Sequence, residues 1–199
     1  MNGLYLIITN PIIGYAELTR IAVSCEVPII QLRIKDSNSN KLKIAKEIRN
    51  ITNNSKTLFI INDDIQLAIE SNSDGVHLGQ NDTPVIEAKK IWNNPQKLFG
   101  VSTHNLEQAK QAVKKGADYI GIGPIYATNS KQQLDPILGI KSAKKINDEC
   151  ECTSFAIGGI NQKNLKNVKK IGTSGFCVLS AINDSKNPEK IIRSFKENW

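Results

Sequence analysis

Short β-branched runs alternate with longer stretches of helical period along the whole chain, and the strand-like runs number eight. Parallel strands cannot be joined by tight hairpins. Each needs a crossover of about a dozen residues, most simply a right-handed helical one. The alternation therefore predicts an α/β fold with a parallel sheet. Strands are expected at Leu4–Ile8, Pro28–Arg33, Thr57–Asn62, Gly75–Leu78, Leu98–Ser102, Tyr119–Gly123, Ser154–Ile157 and Gly175–Leu179. The helices between them are expected at Tyr15–Ser24, Asn40–Thr52, Ile65–Ser71, Pro84–Trp92, Leu106–Lys115, Ile140–Glu149, Gln162–Lys170 and Pro188–Glu197. Asn105 followed by Gln108 has the spacing of a capping box. Eight such units in 199 residues point to a single (β/α)8 barrel spanning residues 1–199, a TIM barrel at the short end of its size range. An open doubly wound sheet is the alternative.

Apolar runs such as Leu58-Phe59-Ile60-Ile61 are too short to cross a bilayer, and Met1-Asn2-Gly3-Leu4 lacks the basic start of an export signal. Cys25, Cys150, Cys152 and Cys177 form no CxxC pair, which argues against a zinc site or a disulfide framework and for a reducing cytoplasm. Lys and Arg outnumber Asp and Glu by 26 to 19, a balance that suits an anionic small-molecule ligand. The lysines are scattered as on solvated helix faces, and aromatics make up only 6%, so a nucleic-acid platform is not expected.

In a barrel, chemistry collects at the C-terminal strand ends and the loops after them. Asp63 and Asp82 follow neighbouring strands and have the hard oxygen donors that suit Mg²⁺, although each also stands where a helix cap is wanted. Arg33 and Lys35, two apart on an extended segment, point the same way and suit a diphosphate; a surface ion pair with Asp36 is the alternative. Gly158 and Gly159 lead from a strand into a helix, where backbone N–H groups approach phosphate, and Ser180 after the last strand completes such a cradle; a plain tight turn would use the same glycines. Thr128, Ser130 and Lys131 lie on the long loop after the sixth strand, where lids are often built. His77 is placed to face inward, whereas His104 beside Asn105 reads as local structure, and neither has an evident nucleophile partner.

Most of these residues fall within a longer series: Gln31-Leu32-Arg33-Ile34-Lys35, Ile61-Asn62-Asp63-Asp64, Asp74-Gly75-Val76-His77-Leu78-Gly79-Gln80-Asn81-Asp82, Gly100-Val101-Ser102-Thr103-His104, Gly116-Ala117-Asp118-Tyr119-Ile120-Gly121-Ile122-Gly123-Pro124-Ile125-Tyr126, Ala156-Ile157-Gly158-Gly159-Ile160 and Leu179-Ser180-Ala181-Ile182. In these segments the chain resembles the thiamine-phosphate synthase family. The resemblance implies Mg²⁺ held by Asp63 and Asp82, with Arg33, Lys35, Asn62, Ser102 and Lys131 around a pyrophosphate. It further implies Gln31 and His77 facing an aminopyrimidine, and Thr128, Ser130, Gly159 and Ser180 holding a thiazole phosphate. Arg33, Lys35, Ser102 and Lys131 would then be the catalytic group, stabilising charge on the leaving diphosphate. The implied chemistry is dissociative. Ser130 stands where the family pattern usually has threonine, and Ile34 where it usually has Glu. Rival readings are a related thiazole tautomerase and, in another class, a non-catalytic phosphate-ligand or RNA-associated barrel. Homo-oligomerisation is left open.

Overall fold

The computed structural model describes residues 1–34, 40–128 and 136–199. Eight parallel strands close on themselves in chain order: β1 (Gly3–Ile8), β2 (Ile29–Leu32), β3 (Leu58–Asn62), β4 (Gly75–Leu78), β5 (Leu98–Thr103), β6 (Tyr119–Ile122), β7 (Thr153–Ala156) and β8 (Gly175–Val178). Closure is direct, since β1 pairs with β8 from Gly3↔Gly175 to Leu6↔Val178. The open sheet is thereby excluded. Outside lie α1 (Tyr15–Ser24), α2 (Lys41–Thr52), α3 (Ile65–Glu70), α4 (Val85–Ile91), α5 (Leu106–Lys114), α6 (Gly139–Glu149), α7 (Leu165–Lys169), α8 (Ser180–Asn183) and α9 (Pro188–Asn198). Among the described residues, no helix is long and apolar enough to cross a membrane.

Period-two alternation sends the two faces of each strand to different cores. Outward residues such as Leu4, Leu6, Ile30, Phe59, Ile61, Ile120 and Phe176 pack under the helices. Inward residues Tyr5, Ile7, Ile29, Ile60, Tyr119, Phe155 and Cys177 fill the barrel. The rings there meet edge to face, Tyr5 and Tyr119 lying 5.3 and 5.7 Å from Phe155. Their room comes from adjacent strands. A Cβ on Gly100 would stand 2.1 Å from the Tyr119 ring, and one on Gly175 would stand 2.7 Å from that of Phe155. The interior thus pairs a ring with a missing side chain across two ladder positions, Gly100↔Tyr119 and Phe155↔Gly175.

Helix α5 shows how local chemistry sets the boundaries. The Asn105 side chain accepts from the Gln108 N–H, as a cap should. The reciprocal bond departs from the capping-box expectation: Gln108 Oε1 accepts from the His104 N–H, one residue earlier, because Asn105 is fully extended (φ −160°, ψ 170°). Lys114 and Lys115 lead out through Gly116 at φ 88°. Helix α7 starts at Leu165, later than the pattern predicts, because Asn161 and Asn164 first close a turn in which Asn164 Oδ1 accepts from the Asn161 N–H.

The single turn α8, which periodicity did not predict, begins at Ser180 and delivers Asn183 to the seam of the barrel. Asn183 is buried. Its amide donates to Ile7 O at 2.7 Å and accepts from Thr9 N at 2.9 Å, while its carbonyl accepts from Ile12 N.

At the opposite end of the barrel a device repeats. Asp74 accepts from Phe59 N at 2.7 Å and pairs with Arg49 at 2.9 Å; Asp118 accepts from Phe99 N at 2.8 Å and pairs with Lys89 at 3.3 Å. Each aspartate fastens the start of the preceding strand. Replacing Asp74 by Ala strands a backbone donor and the largely buried Arg49, which should destabilise the chain by about 2–3 kcal/mol. Urea unfolding measures this, with turnover per folded molecule unchanged.

Candidate active site

A cavity opens at the C-terminal end of the barrel, the end where the strand-following loops gather. It brings together most of the residues singled out in the sequence. Gln31 and Arg33 come from the end of β2, Asn62 from β3, His77 from β4 and Ser102 from β5. On the other side stand Thr128, Gly158, Gly159 and Ser180, supplied by the segments after β6, β7 and β8. Lys35, Ser130 and Lys131 lie outside the described residues.

The floor is made by two residues that sequence reading passed over, Tyr5 and Tyr119. Both are buried in the barrel, and desolvation raises both phenol pKa values, so they stay protonated. They join a continuous row of polar contacts. Gln31 Nε2 donates to Tyr5 Oη at 2.7 Å, Tyr5 Oη meets Tyr119 Oη at 2.9 Å, Tyr119 Oη meets His77 Nδ1 at 3.2 Å, and His77 Nε2 meets Ser102 Oγ at 2.9 Å. The signal in the sequence was a tyrosine at an inward position of each strand, where a buried hydroxyl needs a partner. Burial also pushes the Cys177 thiol well up, leaving it an uncharged wall of the cavity.

Around this floor the strand ends are tied to one another. Gln80 Nε2 donates to Ser102 O at 2.5 Å, bridging the segments after β4 and β5. His104 Nδ1 bonds the Gly123 carbonyl at 2.7 Å, across to the segment after β6, and the residue lines the cavity, a place its reading as local structure did not give it. Arg33 is partly buried, and desolvation lowers the pKa of its guanidinium against the opposing pull of Asp63.

Asp63 and Asp82 do not line this cavity: Asp63 lies in a hollow beside Asn62 and Ile34, and Asp82 in another beside Gly79 and Gln80. Helix capping does not account for either. The cap of α3 is Asp64, whose carboxylate accepts from Leu67 N, and the N-cap position of α4 is Pro84, with no side-chain cap bond. Asp63 adopts φ 63°, a left-handed conformation that Asp tolerates better than most residues, while its N–H donates to His77 O across to β4. Asp82 Oδ2 accepts from Gly79 N at 2.7 Å and so holds the loop after β4. Two carboxylates at adjacent strand ends are a fitting donor set for Mg²⁺, which takes one or two protein carboxylates and completes its shell with water and phosphate oxygens. Among the described residues, no cluster of three or more His, Cys, Asp or Glu side chains gathers.

The opposite wall is built from backbone. Gly158 has φ 102° and Gly159 φ 64°; a Cβ on the first would lie 2.6 Å from Pro124 Cα, and on the second 2.5 Å from Ala127 O. Only glycine allows this approach and this conformation together. The Gly159 carbonyl is held by Asn164 Nδ2 at 2.9 Å, which fixes the turn that carries it.

Residues 4–182 match the family described as thiamine monophosphate synthase. The chain is similar to a thiamine-phosphate synthase of Clostridium botulinum (strain Loch Maree / Type A3), 40% identical over 92% of this chain and 90% of the relative. A thiamine-phosphate synthase of Prochlorococcus marinus is 42% identical over 84% of this chain, which spans about half (48%) of that longer relative. Among solved structures, a thiamine phosphate pyrophosphorylase from Pyrococcus furiosus superposes with a TM-score of 0.89 at 32% identity, covering 98% of this chain and 94% of that one.

Proposed function

The chain belongs to the thiamine monophosphate synthase family, and on that footing we propose that it joins an aminopyrimidine methyl diphosphate to a thiazole phosphate, releasing pyrophosphate and giving thiamine phosphate. One observation carries the reading. A single cavity has polar and cationic groups on both sides and a floor of aromatic rings between them: Arg33, Asn62 and Ser102 on the β2–β5 side, Thr128, Gly159 and Ser180 on the β6–β8 side. Such a site suits two ring substrates that each carry a phosphate group.

In this assignment the diphosphate lies against Arg33, Asn62 and Ser102, with Lys35 and Lys131 added on sequence grounds. Gln31 and His77 face the aminopyrimidine. The thiazole phosphate takes the backbone of Gly159 with Thr128, Ser180 and, by sequence, Ser130. Asp63 and Asp82 would hold Mg²⁺, which when bound supplies charge neutralisation for the departing diphosphate.

The carbon–oxygen bond from the pyrimidine methylene to the diphosphate breaks, and its electron pair leaves with the diphosphate. The ring amine stabilises the resulting cation, and the thiazole nitrogen closes the carbon–nitrogen bond with its lone pair. That nitrogen carries no proton, so the step needs no general base. Arg33 and Ser102 stabilise charge as it develops on the leaving group, where donors fixed in advance need no reorganisation. The rings of the floor and the thiazole pocket hold the reacting atoms in line so that capture outruns water. Small molecules are therefore the expected partners, and the cytoplasm the expected setting.

The test is incubation with both substrates and Mg²⁺, following pyrophosphate and thiamine phosphate by chromatography, with EDTA as control. Metal-dependent appearance of both products is expected. Pyrophosphate without thiamine phosphate would place the fault in the thiazole side of the cavity. Neither product would overturn the reading in favour of the tautomerase or a phosphate-binding protein.

A further inference from the structure

We infer that the buried row Gln31–Tyr5–Tyr119–His77–Ser102 is a polarised hydrogen-bond relay that couples recognition of an amino group at Gln31 to the direction in which the Ser102 hydroxyl points. The inference rests on the proposed placing of the pyrimidine at Gln31 and the diphosphate at Ser102, and it makes Tyr5 and Tyr119 positioning residues.

The direction follows from counting protons. Each phenol has one hydrogen to give, and burial keeps both phenols protonated. Tyr5 Oη accepts from Gln31 Nε2, so its own hydrogen goes to Tyr119 Oη. Tyr119, having accepted, gives its hydrogen to His77 Nδ1. An imidazole that accepts at Nδ1 carries its proton at Nε2, and that proton goes to Ser102 Oγ. The Ser102 hydrogen is then left to turn toward the ligand, where it meets the anion.

One switch sets the whole row: which end of the Gln31 amide faces Tyr5. With nitrogen on Tyr5, the amide oxygen is the atom Gln31 presents as an acceptor, and an amine is the group that holds it there. A ligand with a carbonyl in place of the amine would turn the amide over. Tyr5 would then donate to Gln31, each later bond would reverse, and Ser102 would give its hydrogen to His77 and present only lone pairs to a diphosphate. Amine recognition at one end thus selects a Ser102 that favours an anion at the other.

The chain has only two histidines, which makes the state of each readable. His104 Nδ1 faces the Gly123 carbonyl and must donate there, so the two imidazoles should be opposite tautomers, His77 protonated at Nε2 and His104 at Nδ1. Two-bond ¹H–¹⁵N correlation spectra of the ¹⁵N-labelled full chain, assigned with the His104→Gln variant, read this directly. In Tyr119→Phe, His77 loses its donor at Nδ1 and is expected to populate both tautomers. In the same variant kcat should fall roughly tenfold, the scale of one hydrogen bond to a charged group, with KM for the thiazole phosphate unchanged.

His77 protonated at Nδ1 in the unaltered protein would overturn the relay, as would a single unchanged tautomer in a folded Tyr119→Phe variant. The wild-type spectrum decides even where the variant does not fold. Absence of turnover in the wild type would count against the proposed function and leave the tautomer result standing separately.

Discussion

Replacing Asp63 by asparagine is expected to lower Mg²⁺-dependent turnover on the order of a hundredfold while leaving the unfolding midpoint nearly unchanged. Asparagine keeps the shape of the side chain and tolerates the left-handed backbone at φ 63°, so the substitution removes the charge, and with it the pull on Arg33, without adding backbone strain. Alanine would confuse the result by adding backbone strain. Asp82 makes a poorer first choice, since its carboxylate also holds Gly79 N and its loss would loosen the loop. Steady-state rates across a magnesium titration, beside urea unfolding of the same preparation, separate the two effects. A parallel loss of stability and activity would return Asp63 to a structural role.

The second large effect is expected at Gly159. Alanine there meets the Ala127 carbonyl at 2.5 Å and the Tyr126 Cβ at 2.8 Å, both parts of one chain segment that cannot rotate aside, and it must also hold φ 64°. A cost of about 2–3 kcal/mol in stability follows from overpacking and backbone conformation together. The loss of activity should be larger. The shift needed to relieve the clash moves the backbone that is proposed to approach the thiazole phosphate, so kcat/KM for that substrate is expected to fall about a hundredfold or more, with a smaller change for the pyrimidine diphosphate. Saturation curves for each substrate, run on protein checked for folding, would show this asymmetry. An equal loss for both substrates would place Gly159 in the general packing of the barrel.

The architecture was legible because the two periodicities, 2 and 3.6, alternate cleanly from Leu4 to Phe195, and each strand-like run observed is within a residue or so of its expected bounds. Strand ends then pointed to one cavity lined by Arg33, Asn62, His77, Ser102, Gly159 and Ser180, since closing a parallel barrel leaves only one end at which such residues can meet. What escaped was set by contacts distant in sequence. Tyr5 and Tyr119 read as ordinary strand tyrosines until the barrel brings their hydroxyls together across 114 positions. Helix α8 is one turn long, too short for any periodicity to register. The reciprocal bond of the α5 cap moved from Asn105 to His104 for a purely local reason, the extended backbone at Asn105.

The seam sealed by Asn183 joins partners 174 and 176 positions apart, nearly the full reach of the chain. On a ribosome the first strand would emerge long before this asparagine exists, and it would wait with one edge unmatched while the rest is made. Ser180 begins the same turn, so one of the groups assigned to the phosphate reaches its place only in company with that last fastening. Nascent chains ending short of Gly175 should therefore be unable to retain a phosphorylated ligand, however much of the sheet has already formed. Ligand capture becomes a clock for the moment at which the first and last strands of the barrel meet.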